Sequence, residues 1–242
     1  MRAIKLSMLA AVMFTTGMTV VKAQTADEIM DKHVAAVGGV DNWSKIKTLK
    51  MVGGMTQQGY EISMTQTYDL SIGLRVDVSV MGMNGYQIVT NKGGWTYMPM
   101  MGSTKIDTMK PDMAKTTWEK MDVKGHQMLD YKSKYAKTEL SGKDTINNAL
   151  CYKIKCTDKD GNESTCYIDA TTFYLLRVET KVKVNDEEQE AAVVYNNYQK
   201  QDGNIVMPMS VTAQGAEITY KTIEVNKPVD ASIFIPTPPP AK

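Results

Sequence analysis

From Thr48 onward the chain keeps a hydrophobic period of two. Tyr60, Ile62 and Met64 alternate with Glu61, Ser63 and Thr65, and Val76, Val78 and Val80 alternate with Arg75, Asp77 and Ser79. The pattern returns with Tyr152 and Ile154 against Lys153 and Lys155, with Leu176, Val178, Val182 and Val184 against Arg177, Glu179, Lys181 and Lys183, and with Ile205, Met207, Met209 and Val211. Successive side chains of a strand point to opposite faces, so this period predicts strands with one buried and one wet face, the antiparallel case. Between Ile218/Tyr220 and Ile223/Val225 the parity flips, which predicts a bulge near Lys221 or Thr222. Turn signals (GGMTQQG, MGMNGY, NKGG, DKDGN, NDEE, QDGN) separate the runs, with Gly or Asn available where positive φ is needed. Glu187, Glu188 and Glu190 read as part of a solvated turn.

Helical spacing is confined to short stretches. Thr25 with Glu28 three residues on forms a capping-box pattern, Ile29, Met30, His33, Val34 and Val37 follow at helical spacing, and Gly38-Gly39 stops the helix. A further turn brings Trp43 and Ile46 together, and a third helix is expected over about Met109 to Met121. Three short helices cannot form a full second layer over a sheet of about eleven strands, and a sheet that wide must curl. The expected fold is therefore mainly β (α+β): one curved antiparallel sheet of about eleven strands forming a half-barrel, its concave face covered by a few short helices. His33 reads as a core or boundary histidine, and neither it nor His126 has metal-ligand company.

The first 23 residues have another character. Arg2 and Lys5 precede an apolar run from Leu6 to about Val21, and Ala23 precedes Gln24, the pattern of a secretory signal peptide. Thr15, Thr16, Gly17, Thr19 and Lys22 make the run a poor membrane anchor. No Cys follows it, so a free, exported protein is expected, with a domain over 24–235 and a Pro-rich tail over 236–242. Across the 242 residues, 28 Lys+Arg stand against 27 Asp+Glu. Removal of Arg2, Lys5 and Lys22 leaves 25 basic residues against the 27 acidic ones, a net −2. That balance offers no cationic field for nucleic acid, and no basic-aromatic interleaving occurs. In an oxidising compartment Cys156 and Cys166, placed opposite one another by a hairpin centred near Gly161, form a possible disulfide; small buried hydrophobes are the alternative. Cys151 has the opposite parity.

Chemistry-bearing motifs are missing. The sequence holds no nucleophile elbow, phosphate loop, dinucleotide fingerprint or HExxH, and DKDGNE lacks the twelfth-position carboxylate of a calcium loop. Neither an enzyme, a cofactor nor a metal is expected. Methionine is abundant: 19 in all, 12 of them between Met51 and Met128. Thioethers suit a surface that accepts apolar partners of variable shape; a loosely specified core is the other reading, and copper is disfavoured by the irregular spacing.

The order of ADEIMDKHVAAVGG, LRVDV, NKGGWTYMP, GKDTINNALCYKIK, CYIDATTFYLLRVET and DASIFIPTPP resembles the LolA-like periplasmic lipoprotein-carrier superfamily, in particular its outer-membrane lipoprotein-sorting proteins of Bacteroidetes type. The resemblance implies an eleven-stranded half-barrel whose concave face, closed by helices, binds acyl chains of lipoproteins or lipids in the periplasm. It also implies hand-over between inner- and outer-membrane sorting proteins, by a monomer. Trp95, Tyr97 and Pro99 match the family's Trp-x-Tyr-x-Pro strand, Arg75 a polar position of the preceding strand, and Phe234 and Pro236 the terminal pair. The family's Arg-Pro lid dipeptide falls at about Leu70-Ser71, a departure. Met51, Met64, Val76, Val78, Trp95, Tyr97 and Ile154 are the expected acyl-cavity residues. Two other classes fit the same residues: a periplasmic lipid- or lipoprotein-sensing regulator or scaffold, and an enzyme with carboxylates dispersed in sequence.

Overall fold

The computed structural model describes residues 24–120, 123, 128–184 and 187–237. The expected signal segment, His126 and the end of the Pro-rich tail lie outside the described residues.

Two helices open the described chain. In α1 (Ala26–Ala36) the Thr25 hydroxyl accepts from the Glu28 N–H at 3.1 Å while the Glu28 carboxylate accepts from the Thr25 N–H at 3.0 Å, so the capping box forms. Ile29, Met30 and His33 lie on its buried face, and His33 Nδ1 is 2.8 Å from the Phe173 carbonyl, the core histidine expected. Gly38, at φ 112°, turns the chain into α2 (Gly39–Ser44). A Cβ there would stand 2.5 Å from the Asn204 carbonyl oxygen, so both the dihedral and the close approach require glycine. Trp43 of α2 is buried and its indole N–H donates to the Val37 carbonyl at 2.8 Å.

Thirteen strands, counted over the described residues, form one open antiparallel sheet. The first six, β1 (Thr48–Gln57), β2 (Tyr60–Asp69), β3 (Gly73–Val80), β4 (Met83–Thr90), β5 (Gly93–Tyr97) and β6 (Asp107–Thr108), meander outward from the middle. The remaining seven are β7 (Tyr135–Ile146), β8 (Ala149–Asp158), β9 (Glu163–Asp169), β10 (Leu175–Val184), β11 (Glu187–Lys200), β12 (Val206–Ala213) and β13 (Ala216–Val225); they meander back from the opposite edge until β13 pairs with β1. The count exceeds the expected eleven because some strands carry no period-two signature. Both residues of β6 are exposed, β7 is exposed along most of its length, and Glu187, read as turn, opens β11.

The expected bulge is present and sits at Lys221. Val52 pairs with Thr222 but Gly53 with Tyr220, leaving Lys221 without a partner on β1. The two strands approach so closely beyond it that a Cβ on Gly53 would lie 2.2 Å from the Thr219 carbonyl oxygen. Register also corrects the cysteine geometry. Cys166 pairs with Ile154, and Cys156 with Ser164, because the Asp158 carboxylate accepts the Asp160 and Asn162 N–H groups at 2.9 and 2.8 Å and centres the turn one residue earlier than Gly161. Cys156 and Cys166 are thus diagonal neighbours on one face, their sulfurs 3.8 Å apart and unbridged, while Cys151 lies on the other.

Strands β6 and β7 are opposite edges of the sheet, so the segment 109–134 between them has to cross it. It contains α3 (Pro111–Lys120), which starts two residues after the expected Met109 while Met121 lies outside the described residues, and a final turn α4 (Tyr131–Lys134). Its described residues Val123, Met128 and Tyr131 lie on the face that carries α1 and α2. Val123 is buried among Trp43, Leu49, Met51 and Met207, and Met128 and Tyr131 among Ile29, Met30, Ile154 and Tyr195. This is the inner face. The outer face of β3–β5 is covered only locally, where the 3-10 turn Ala231–Phe234 buries Phe234 against Tyr86 and Ile88.

Candidate functional site

Where the crossing segment spans the middle of the sheet, the inner face is incompletely filled. A cavity of about 280 Å³ lies between Val123 above and β1, β2, β11, β12 and β13 below, lined by Met51, Gln66, Tyr68, Val193, Tyr195, Met207, Pro208, Val211, Ala213 and Tyr220. The register brings these side chains together: Met51 pairs with Gln66 and with Ile223, Gly53 with Tyr220, and Tyr195 with Val211. Apart from Pro208, the lining side chains of β1, β2, β12 and β13 stand at inward positions of a period-two run, which is why so many are apolar.

The polar groups here are few and loosely joined. Gln66 Nε2 donates to the Tyr220 hydroxyl at 3.4 Å and lies 3.3 Å from the Met64 sulfur, and the Tyr68 hydroxyl donates to Gln66 Oε1 at 3.4 Å. These distances are at the long limit of hydrogen bonding. Burial raises the Tyr220 hydroxyl pKa and pushes that of Tyr195 up to about 12, with the neighbouring Cys166 and Tyr220 adding to the latter. Both therefore stay neutral and able to donate.

The structure divides the residues expected from sequence. Met51 lines the cavity. Val76 is buried beside it in the same apolar cluster, with Met64 and Val78 packed at the margin. Ile154 is fully buried in a neighbouring cluster under α1, with Cys156 and Cys166. Trp95 and Tyr97 are on the outer face, a correction: Trp95 pairs with Ile88 and Tyr97 with Tyr86, which share the face of Arg75. The inward positions of β5 are Gly94 and Thr96, and Met109 packs over the first: a Cβ on Gly94 would meet the Met109 sulfur at 2.6 Å. Trp95 instead borders a second cavity of about 580 Å³ near α3, with Leu70, Ile72, Met109, Ala114 and Trp118. Tyr97 packs against Tyr86 with ring centroids 5.9 Å apart.

Tyr195, Val193, Ala213 and the tyrosine–glutamine group were not singled out from sequence. One signal was available: Gln66 is a polar side chain at an inward position of the run Ile62, Met64, Gln66, Tyr68. Elsewhere the outer face offers a polar cleft of about 450 Å³ bordered by Thr56, Glu61, Ser63, Glu217, Thr219 and Lys221, with no nucleophile–base arrangement among them. Among the described residues no group of three or more His, Cys, Asp or Glu could hold a metal ion. No helix of the described residues is long and apolar enough to cross a membrane.

No protein-family model matches the chain, and no curated protein matches it. Solved structures do. A LolA superfamily protein from Nitrosomonas europaea aligns with a TM-score of 0.52 at 11% identity over 88% of this chain and 99% of that one. The chain has a LolA-like fold. A domain assigned to outer membrane lipoprotein sorting in Vibrio parahaemolyticus aligns with a TM-score of 0.51 at 12% identity, over 86% of this chain and 95% of that one. A DUF1329 family protein from Desulfovibrio piger gives 0.50 at 14% identity, over 86% and 96%. Within this LolA-like fold, Leu70 and Ser71, which stand where the sequence resemblance puts the Arg-Pro pair, border the second cavity beside Lys115 and Trp118.

Proposed function

We propose that the protein is a carrier that binds the acyl chains of lipoproteins or lipids in the inner-face cavity and moves them through the periplasm toward the outer membrane. The observation that carries this reading is the apolar cavity roofed by Val123 of the crossing segment. Each CH₂ withdrawn from water contributes about 0.8 kcal/mol, so a chain travels through water only inside an apolar sleeve. Val123 belongs to a connection rather than to the sheet, so its displacement would leave the strands paired and give a route for entry and release. Export by the segment 1–23, a monomeric state and hand-over between inner- and outer-membrane sorting proteins belong to the same reading. So does the absence of catalysis: the cavity lining combines apolar, tyrosine and glutamine side chains, a composition suited to holding a ligand.

Native mass spectrometry of the mature protein, purified without detergent and followed by solvent extraction, tests it. A bound acyl species is the expected result. An apo mass that stays unchanged after incubation with lipids and triacylated peptide would overturn it.

A further inference from the structure

Five tyrosines away from the cavity make short bonds: Tyr86 to the Thr237 carbonyl at 2.8 Å, Tyr131 to Asp31 at 2.7 Å, and Tyr152 to Gln24, Tyr167 to Glu179 and Tyr198 to the Leu175 carbonyl, each at 2.6 Å. Two tyrosines that line the cavity do not. Tyr220 meets Gln66 at 3.4 Å, and the Tyr195 hydroxyl, on a residue only 8% exposed, has no hydrogen-bond partner among the described residues. A donor that faces a cavity without a protein partner is open to a ligand that completes it.

We infer that the Gln66–Tyr195–Tyr220 group receives the carbonyl of a neutral acyl ester or amide, so that the cavity reads the linkage of the chain as well as its hydrocarbon. The inference rests on the carrier reading above. Tyr195 and Tyr220 supply O–H donors and Gln66 an N–H donor, with Gln66 and Tyr220 3.4 Å apart, in an otherwise apolar space lined by Met51, Met207 and Val211. Burial keeps both hydroxyls protonated and so keeps them donors. No Lys or Arg lines the cavity among the described residues, so an ionised carboxylate would lose its hydration with no opposite charge to replace it. A plain alkane would leave the donors as they are.

The test is displacement of the neutral dye N-phenyl-1-naphthylamine by three ligands of equal chain length, dodecane, methyl laurate and laurate, at neutral pH. Methyl laurate is expected to bind about tenfold more tightly than dodecane, since a net hydrogen bond is worth a factor of several and at least two donors converge. Laurate is expected to bind at least about tenfold more weakly than the ester. In Tyr195→Phe with Gln66→Leu the ester-to-alkane ratio collapses toward one, whatever the absolute affinities become; circular dichroism checks that the variant folds. Equal binding of ester and alkane, or laurate as tight as the ester, overturns the inference and leaves the carrier reading standing. Failure of all three ligands overturns both. A diacylglyceryl-cysteine peptide and a phospholipid with the same chains, offered separately, identify which source supplies the ester, and displacement by either supports the assignment.

Discussion

The Arg75 guanidinium donates to the Ile233 carbonyl at 2.8 Å across 158 residues of chain. The same side chain, 15% exposed, holds Asp77 at 2.7 Å and stacks 4.7 Å from the centre of the Tyr86 ring, whose hydroxyl in turn donates to the Thr237 carbonyl. Arg75 and Tyr86 therefore fasten the C-terminal segment to the outer face of β3 and β4, opposite the cavity.

Arg75→Leu removes a charge-assisted bond and leaves the Ile233 carbonyl without its donor, a loss of about 2 kcal/mol. A fall in melting temperature of roughly 4–8 °C is expected by calorimetry. Arg75→Lys should recover only part of it, because an ammonium cannot serve Asp77, Ile233 and the ring at once. Dye binding in the cavity should be unchanged in both variants, since the residue is on the other face.

Filling the cavity separates binding from stability. Ala213 lines it and is half-buried. Ala213→Trp should lower affinity for an acyl probe at least about tenfold while thermal unfolding moves by only a few degrees, since the new ring occupies existing space. Binding at the original affinity, measured by fluorescence titration, would remove this cavity from the site.

The crossing segment is tied to α1 through Asp31, whose carboxylate accepts from the Lys132 ammonium at 3.0 Å and the Tyr131 hydroxyl at 2.7 Å. These bonds, that of Lys132 first, hold the Asp31 pKa below the ordinary aspartate value. A lowered folded-state pKa means stabilisation that is fully present above the unfolded value, about 3.9, and lost as pH falls through the folded one. Asp31→Asn should therefore be less stable than the parent at neutral pH, and the gap should close as pH drops below about 4. The effect is small because Asp31 is 54% exposed in its side chain. Urea unfolding of both proteins across pH 2–7 checks the sign.

Oxidation should select one cysteine pair. Cys156 and Cys166 share the inner face with sulfurs 3.8 Å apart, whereas Cys151 points to the other side of the sheet. After treatment with a mild thiol oxidant, peptide mapping is expected to find only the Cys156–Cys166 bridge, with Cys151 still alkylatable after denaturation. A bridge to Cys151 would mean the β8–β9 register is wrong.

Local patterns in the sequence determined a good deal. The period of two specified antiparallel strands with one apolar face, the Thr25–Glu28 pair specified the start of α1, and the parity change before Ile223 confined the bulge to Lys221 or Thr222, of which the register selects Lys221. These are nearest-neighbour properties of the backbone, so residues a few positions apart suffice to encode them. The tertiary structure alone decided which of the two faces lies inside. Alternation says that Trp95 and Thr96 point apart but not which one points inward; in the structure Met109 packs over Gly94 on the inner side while Trp95 joins the Tyr86–Ile88–Phe234 cluster on the outer one. It alone assembled the cavity as well, because Gln66, Tyr195 and Tyr220 belong to strands that adjoin only after β13 returns beside β1. Pairing between strands so distant in the chain depends on the collapse of the whole sheet and leaves no local trace in the sequence.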